Sequence, residues 1–182
     1  MALSDREPTR EELEEALAYY ERTLAARPDD EIMLMLYGNA LCAAERFPEA
    51  VKAYERASAL KSPLPEVHYL LGVARMSAGN FAEAVEAFDK HLARSQDVEV
   101  YVLASLCLDV EDERERSKAY FDAAMRKDGP RTMAYLKEYA AELVAAGGEG
   151  GEEAEELKTG LQNAIGHIDD YLKEHKSPPR KA

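Results

Sequence analysis

Apolar positions along the chain repeat with a helical period inside each segment, and the segments themselves repeat. Within a segment, apolar residues recur at intervals of three and four, which is typical of an amphipathic helix with one buried face. Small residues recur with gaps of 34, 34 and 33 positions: Ala16, Ala50, Ala84 and Ser117. An aromatic residue follows each of them by four positions: Tyr20, Tyr54, Phe88 and Phe121. A period near 34 predicts tandem helical hairpins that bury their apolar faces against one another.

Further columns share this period and explain how the hairpins would pack. Glycine or serine occupies one of them: Gly38, Gly72 and Ser105. The position three after each aromatic holds Thr23, Ala57, His91 and Ala124. Small residues on two neighbouring helices let the backbones approach closely, and the aromatic residue one turn along fills the space between hairpins.

Capping and stop signals delimit the predicted helices. A first helix is predicted over residues 9–27, because Thr9 and Glu12 form a capping-box pattern. By its columns, this helix is the second half of a repeat that lacks its first half. The predicted hairpins are 30–44 with 47–61, 64–78 with 81–95, and 97–109 with 113–128. Gly79 is placed to end a helix in the left-handed conformation, and Asp128-Gly129-Pro130 predicts a stop.

The C-terminal part of the chain departs from the repeat. We predict a helix over 131–146, a flexible glycine-rich linker over 147–151 and a long amphipathic helix over 152–175. The expected organisation is a flexible N-terminus (1–8), repeats (9–129), a degenerate repeat helix, linker and capping helix (130–175), and a disordered tail (176–182).

The repeat columns resemble the tetratricopeptide repeat (TPR) family over roughly residues 9–129. The first copy matches at Leu34, Tyr37, Gly38, Leu41, Phe47, Ala50, Tyr54 and Ala57. The second copy matches at Tyr69, Leu71, Gly72, Gly79, Asn80, Phe81, Ala84 and Phe88, and residues 98–129 form a degenerate third copy. The resemblance implies an all-α TPR solenoid of antiparallel helix hairpins: a lone N-terminal helix, about three repeats, then two further helices.

Charge and cysteine content narrow the classes of partner. The net charge of −13 disfavours binding to nucleic-acid phosphates or anionic membrane surfaces, so we expect neither as a partner. Cys42 and Cys107 have no spacing typical of a metal site or a redox pair, which favours buried thiols. With no apolar signal core and no membrane-length apolar stretch, we expect a cytoplasmic protein.

Catalytic motifs find little support in the sequence. His68, His91, His167 and His175 show no metal-ligand spacing with one another. The glycine-rich stretch 147–151 has neither the lysine nor the preceding strand of a nucleotide-binding loop. We therefore expect a protein that is not an enzyme and that carries no cofactor and no metal.

The family resemblance implies that the first helix of each hairpin lines a concave groove. The predicted partner-binding residues are Ile32, Met35, Asn39, Cys42, Tyr69, Val73, Met76, Val102, Leu106 and Asp109. Some repeats of this family clamp a partner's terminal carboxylate with basic and amide side chains, and only Asn39 matches that pattern. This lining is mostly apolar, so we do not expect that clamp.

Two occupants are compatible with an apolar groove. One is a segment of another protein, and the other is the chain's own last helix, folded back by means of the linker. The leading hypothesis is an adaptor or scaffold that binds an apolar peptide or helix, with basic flanks favoured by the acidic rim. One alternative is a chaperone, since small acidic TPR proteins of this length resemble the chaperones of type III secretion translocators. Another is a self-assembling scaffold, which would form a homo-oligomer.

Overall fold

A computed structural model of the protein describes residues 8–60 and 63–146, together with Thr159, Gln162 and Asn163. The described residues form helices and turns, with no strand among them. The helices are α1 (Arg10–Ala26), α2 (Glu31–Ala43), α3 (Phe47–Ser58), α4 (Pro65–Ser77), α5 (Phe81–Leu92), α6 (Val98–Val110) and α7 (Arg114–Ala146). The predicted flexible N-terminus (apart from Pro8), linker and tail, and nearly all of the predicted last helix, lie outside the described residues.

The chain divides into two compact units after Ala78, with α1–α4 in the first and α5–α7 in the second. In the first unit each helix packs against the next one along the chain. The Thr9 side chain accepts a hydrogen bond from the Glu12 N–H, and the Glu12 carboxylate accepts one from the Thr9 N–H at 2.7 Å. This is the capping box that the sequence predicts, and it fixes where α1 begins.

A residue in the left-handed conformation follows each of α2, α4 and α6. Glu45 (φ 57°), Gly79 (φ 76°) and Asp112 (φ 57°) lie 34 and 33 residues apart, so the turn repeats with the period of the sequence. After Glu45, the Arg46 N–H reaches back to the Leu41 carbonyl at 2.8 Å. After Asp112, the Glu113 N–H makes the same bond to Leu108 at 2.8 Å. Both turns therefore satisfy helix-terminal carbonyls in the manner of a Schellman motif.

Close approach of α2 and α3 depends on the glycine column. Tyr54 is 1% exposed and its ring lies directly over Gly38. A Cβ atom at position 38 would lie 2.5 Å from Tyr54 Cε1, well inside ordinary carbon–carbon contact. The aromatic ring of one helix thus occupies the space that glycine leaves on the other, as the spacing of these columns predicts.

The second unit is built around α6. Val98, Val102 and Leu106 of this helix pack with Phe121 and other residues of α7 in one apolar cluster. All residues from 102 to 109 are buried, so this part of α6 is covered on every side.

The predicted stop at Asp128-Gly129-Pro130 is confirmed as a break that separates two helical stretches of α7. Asp128 has non-helical dihedral angles (φ −156°, ψ 86°), and helix continues on both sides of it. The Asp128 carboxylate accepts a hydrogen bond from the Arg131 N–H at 3.0 Å, which caps the second stretch. The predicted helices 113–128 and 131–146 are the two stretches of α7 on either side of this break.

Candidate protein-binding surface

An exposed apolar stripe runs along α2 in the first unit. Ile32 is 58% exposed and Leu36 is 37% exposed, which are high values for large apolar side chains. Asn39 follows three residues later and is also exposed, so the three positions share one face of the helix. Met35 lies beside them and is half-buried.

Helix α4 carries the equivalent stripe. Leu70 and Val73 stand 34 residues after Leu36 and Asn39, and both are half-buried, as is Tyr69. The beginnings of α2 and α4 are joined, because the Leu64 N–H donates a hydrogen bond to the Glu31 carboxylate.

We call this set the α2–α4 face. Its residues are Ile32, Met35, Leu36, Asn39, Tyr69, Leu70 and Val73. Leu34 and Val67 belong to one buried cluster beneath it. The two helices therefore present their accessible apolar positions from a shared core. Leu36 and Leu70 were missing from the sequence prediction, although their helical spacing from Ile32 and Val73 was the signal that marks them.

The Asn39 side chain is held in place by Tyr54, the repeated aromatic residue of the next helix. The Tyr54 hydroxyl donates a hydrogen bond to Asn39 Oδ1 at 2.6 Å. Burial raises the pKa of Tyr54 above its usual value, and so does its neighbour Cys42, so the hydroxyl stays protonated as a donor. Asn39 is exposed, and its amide NH2 group can donate a hydrogen bond to a partner's carbonyl.

The two cysteines are poorly suited to nucleophilic chemistry. Burial raises the pKa of the half-buried Cys42 thiol, although a hydrogen bond with Tyr54 acts in the opposite direction. Burial also raises the pKa of Cys107, which is fully buried in α6. A raised pKa disfavours the thiolate, which is the reactive form of cysteine.

Four of the ten predicted groove residues are not accessible. Met76 is buried in α4, and Val102, Leu106 and Asp109 are buried in α6. Val102 and Leu106 pack against Phe121 in the core cluster of the second unit. A partner would have to displace that packing to reach them. The accessible members are Ile32, Met35, Asn39, Cys42, Tyr69 and Val73.

Acidic side chains stand at the start of both helices of the α2–α4 face. Glu31 is half-buried in the first turn of α2, and Glu66 is exposed in the first turn of α4. Arg75, in the last turn of α4, lies at the opposite end of the helix and forms an ion pair with Glu55 at 3.0 Å. No lysine or arginine stands in the first turn of α2 or α4. This end of the face is therefore acidic.

The sequence matches a family model for the tetratricopeptide repeat twice, over residues 9–65 and 38–99. Together the two matches span half of the 182-residue chain. The chain belongs to the tetratricopeptide repeat family. Its all-α fold of TPR hairpins and the family assigned from the columns are thereby confirmed, and this membership supports a protein–protein interaction module. A comparison with curated proteins finds no match.

Solved structures share the TPR fold at low sequence identity. A crystal structure of MamA has a TM-score of 0.64 at 18% identity and covers 95% of this chain and 98% of its own. MamA 41-end from Desulfovibrio magneticus RS-1 gives 0.62 at 19% identity, covering 92% and 90%. YrrB, described as a TPR protein with an unusual peptide-binding site, gives 0.61 at 24% identity, covering 89% and 81%. Among the described residues of this chain, no helix is long and apolar enough to cross a membrane.

Proposed function

We propose that this TPR chain binds an apolar segment of another protein on the α2–α4 face. The observation that carries the proposal is the exposure of Ile32 and Leu36 on α2, together with the partial exposure of Tyr69 and Val73 on α4. Large apolar side chains grouped on one surface are typical of interaction sites. The peptide-binding site named for YrrB, a protein of the same fold, supports a peptide as the ligand.

The chemistry of the face favours an amphipathic helix or an extended segment with apolar anchors. Met35 and Tyr69 offer adaptable and aromatic contact area, which suits anchors such as leucine or phenylalanine. Asn39 adds an amide donor for a main-chain carbonyl. Glu31 and Glu66 at one end favour basic residues flanking the anchors, because opposite charges speed association and fix orientation.

Peptides selected from a displayed random library on the wild-type protein provide a defined ligand for the test. Their affinity is then measured by fluorescence anisotropy for wild type, for Leu36→Asp and for Val73→Asp. Burying a leucine side chain contributes about 1.5–3 kcal/mol, so we expect Leu36→Asp to weaken binding at least about tenfold.

Tyr19→Asp is the matched control, because Tyr19 is an exposed large apolar residue of α1 (53%) and lies outside the α2–α4 face. Circular dichroism checks that all variants keep their helix content. Binding that survives Leu36→Asp and Val73→Asp, or that falls equally with Tyr19→Asp, would exclude the α2–α4 face as the site.

Self-assembly is a second candidate, favoured by α1, which has no hairpin partner on its N-terminal side among the described residues. Ala16, Tyr20 and Thr23 of this helix are half-buried. Their counterparts in α3, which has a hairpin partner, are buried: Ala50, Tyr54 and Ala57. A helix from a second copy of the chain would cover the α1 positions as a hairpin partner does.

Sedimentation equilibrium over a range of concentrations tests self-assembly. If copies associate through α1, mass rises with concentration, and added salt strengthens the association by screening the net charge of −13. Ala16→Glu abolishes it, whereas Ala18→Glu, at an exposed position of the same helix, does not. A constant monomer mass would remove this candidate.

A further inference from the structure

An acidic column runs through the second helices of the repeats. Its members are Glu21, Glu55, Asp89 and Asp122, spaced 34, 34 and 33 residues apart. In the second unit, Asp89 of α5 accepts a hydrogen bond from the Tyr120 hydroxyl of α7. Asp89 is exposed, so its carboxylate lies at the surface beside an aromatic ring.

Two neighbouring positions of the repeat hold alanine in the third hairpin, where α3 and α5 have charged side chains. Ala119 stands where the earlier copies have Lys52 and Glu86. Ala123 stands where they have Arg56 and Lys90. Only α7 has alanine at both positions, since α1 has Ala18 but Arg22 at the equivalent places, and no long side chain lies there to fill the space beside Tyr120.

The replacement opens a pocket of about 260 Å³, which we call the tyrosine notch. It is lined by Asp89, Leu92, Tyr101, Ala119, Tyr120 and Ala123. The Tyr101 and Tyr120 rings lie with their centroids 6.2 Å apart and their planes tilted by 54°. The volume is below the roughly 300–1,000 Å³ of small-molecule sites, so it matches one side chain rather than a cofactor.

Two tyrosine rings beside a carboxylate form an environment suited to a cation. The face of a tyrosine ring attracts an ammonium or guanidinium group within about 6 Å of its centroid. Burial, together with the hydrogen bond to Asp89, raises the pKa of Tyr120 to about 12, so its hydroxyl remains a donor that holds the carboxylate in place. Leu92 and the two alanines supply an apolar floor for the methylenes of a long basic side chain.

From this geometry we propose that the tyrosine notch receives a lysine or arginine side chain of a partner protein. The notch belongs to the second unit and uses no residue of the α2–α4 face, so the proposal stands or falls separately from the proposed function. The acidic net charge of the chain favours the approach of a basic partner.

The basic side chains beside this site are outside its lining and have carboxylate partners. Arg116 hydrogen-bonds the Tyr120 hydroxyl, and its guanidinium is paired with the Glu113 carboxylate at 2.7 Å. Lys118, on the same helix, is paired with Asp122 at 3.1 Å. Both positive charges therefore have carboxylate partners of their own, and the charge presented by the notch is that of Asp89.

The test is a titration followed by the ring resonances of ¹³C-labelled tyrosine. The probes are the acetylated methylamides of lysine and arginine, and the norleucine derivative serves as an uncharged analogue of lysine. We expect saturable shifts at Tyr101 and Tyr120 with affinity on the order of millimolar, and at least about threefold weaker binding of norleucine, because it lacks the charge that the rings and Asp89 attract.

Variants of the full chain identify the site. Ala123→Lys restores the kind of side chain that Arg56 and Lys90 provide in the earlier copies, so it fills the notch and is expected to abolish the shifts. Ala25→Lys makes the same change at an exposed position of α1 and is expected to leave them intact. Asp89→Asn keeps the volume and removes the charge, and it is expected to weaken lysine binding at least about threefold.

Three results would overturn the proposal. They are shifts that do not saturate, norleucine binding as well as lysine, and lysine binding that survives both Ala123→Lys and Asp89→Asn. Circular dichroism of each variant separates loss of the notch from loss of the fold.

Discussion

Replacing Gly38 with alanine should destabilise the protein, against the usual preference of helices. In an exposed helix interior, alanine is more favourable than glycine by about 0.5–1 kcal/mol. Here the new Cβ would lie 2.5 Å from Tyr54 Cε1 and 2.6 Å from Tyr54 Cζ. Carbon atoms in contact stand about 3.5–4.0 Å apart, so the ring or the helix must shift by roughly 1 Å.

The size of the expected loss in the free energy of unfolding follows from the surroundings of the Tyr54 ring. Tyr54 is buried and its hydroxyl is hydrogen-bonded to Asn39, so the ring has no free space to enter. Overpacking of a core costs about 1–3 kcal/mol, and losing the hydrogen bond adds about 1 kcal/mol. Offset by the gain in helix propensity, the net loss is about 1–3 kcal/mol.

Urea unfolding followed by circular dichroism measures this loss. Gly129→Ala is the comparison variant, because outside its chain neighbours a Cβ there would meet Met125 Cε at 3.6 Å, an ordinary contact. Since a Cβ before Pro130 disfavours the helical region, we expect Gly129→Ala to lower the free energy of unfolding by less than Gly38→Ala does. In a double-mutant cycle, Tyr54→Leu should reduce the cost of Gly38→Ala, since it removes the atoms that clash. A neutral or stabilising Gly38→Ala would refute the close-approach argument.

Further predictions concern turns, charge and thiols. Glu45→Gly and Asp112→Gly should each raise the free energy of unfolding in urea by about 0.5–1 kcal/mol, because glycine adopts positive φ without the cost of a Cβ; a decrease would contradict this. The hydrogen bond from His91, and then one from Ser95, lowers the pKa of Asp97, so the Asp97 carboxylate stabilises the fold above its ordinary pKa. Asp97→Asn should therefore be less stable than wild type near pH 7. That difference should begin to shrink as the pH falls below about 4 and should disappear once the pH is below the lowered pKa of Asp97, whereas a difference that stays constant over this range would point to packing. Cys107 should react with a thiol reagent only as fast as the chain opens, and rapid labelling of folded protein would contradict its burial.

Most of the fold could be predicted from the repeat period, because each repeated position has a direct physical role in packing or in a turn. Gly38 and Tyr54 are opposite halves of one contact, so their spacing encodes the approach of α2 and α3. The left-handed turns could be predicted from the sequence only in part. Gly79 signals positive φ by its residue type, whereas Glu45 and Asp112 adopt it because the helix-terminal hydrogen bonds outweigh the cost of their Cβ atoms.

The candidate site was harder to predict than the fold. Helix α6 is apolar on almost every side, so its sequence does not indicate which positions are covered, and Val102 and Leu106 are buried. On α2, the resemblance to the family led to the prediction of Met35 as a binding residue. Helical spacing alone would have placed Leu36 on the exposed face. The tyrosine notch depends on Ala119 and Ala123. These alanines indicate a pocket only when they are compared with the residues at the same positions in the other copies of the repeat.

Photo-crosslinking of a selected peptide tests the central claim most directly. Benzoylphenylalanine is introduced in place of Leu36 on the α2–α4 face or in place of Tyr19 on α1, and the peptide is bound at saturation before irradiation. The proposed function predicts efficient crosslinking from position 36 to an apolar anchor of the peptide, and only background from position 19. Equal crosslinking from both positions, or none from position 36, would contradict it.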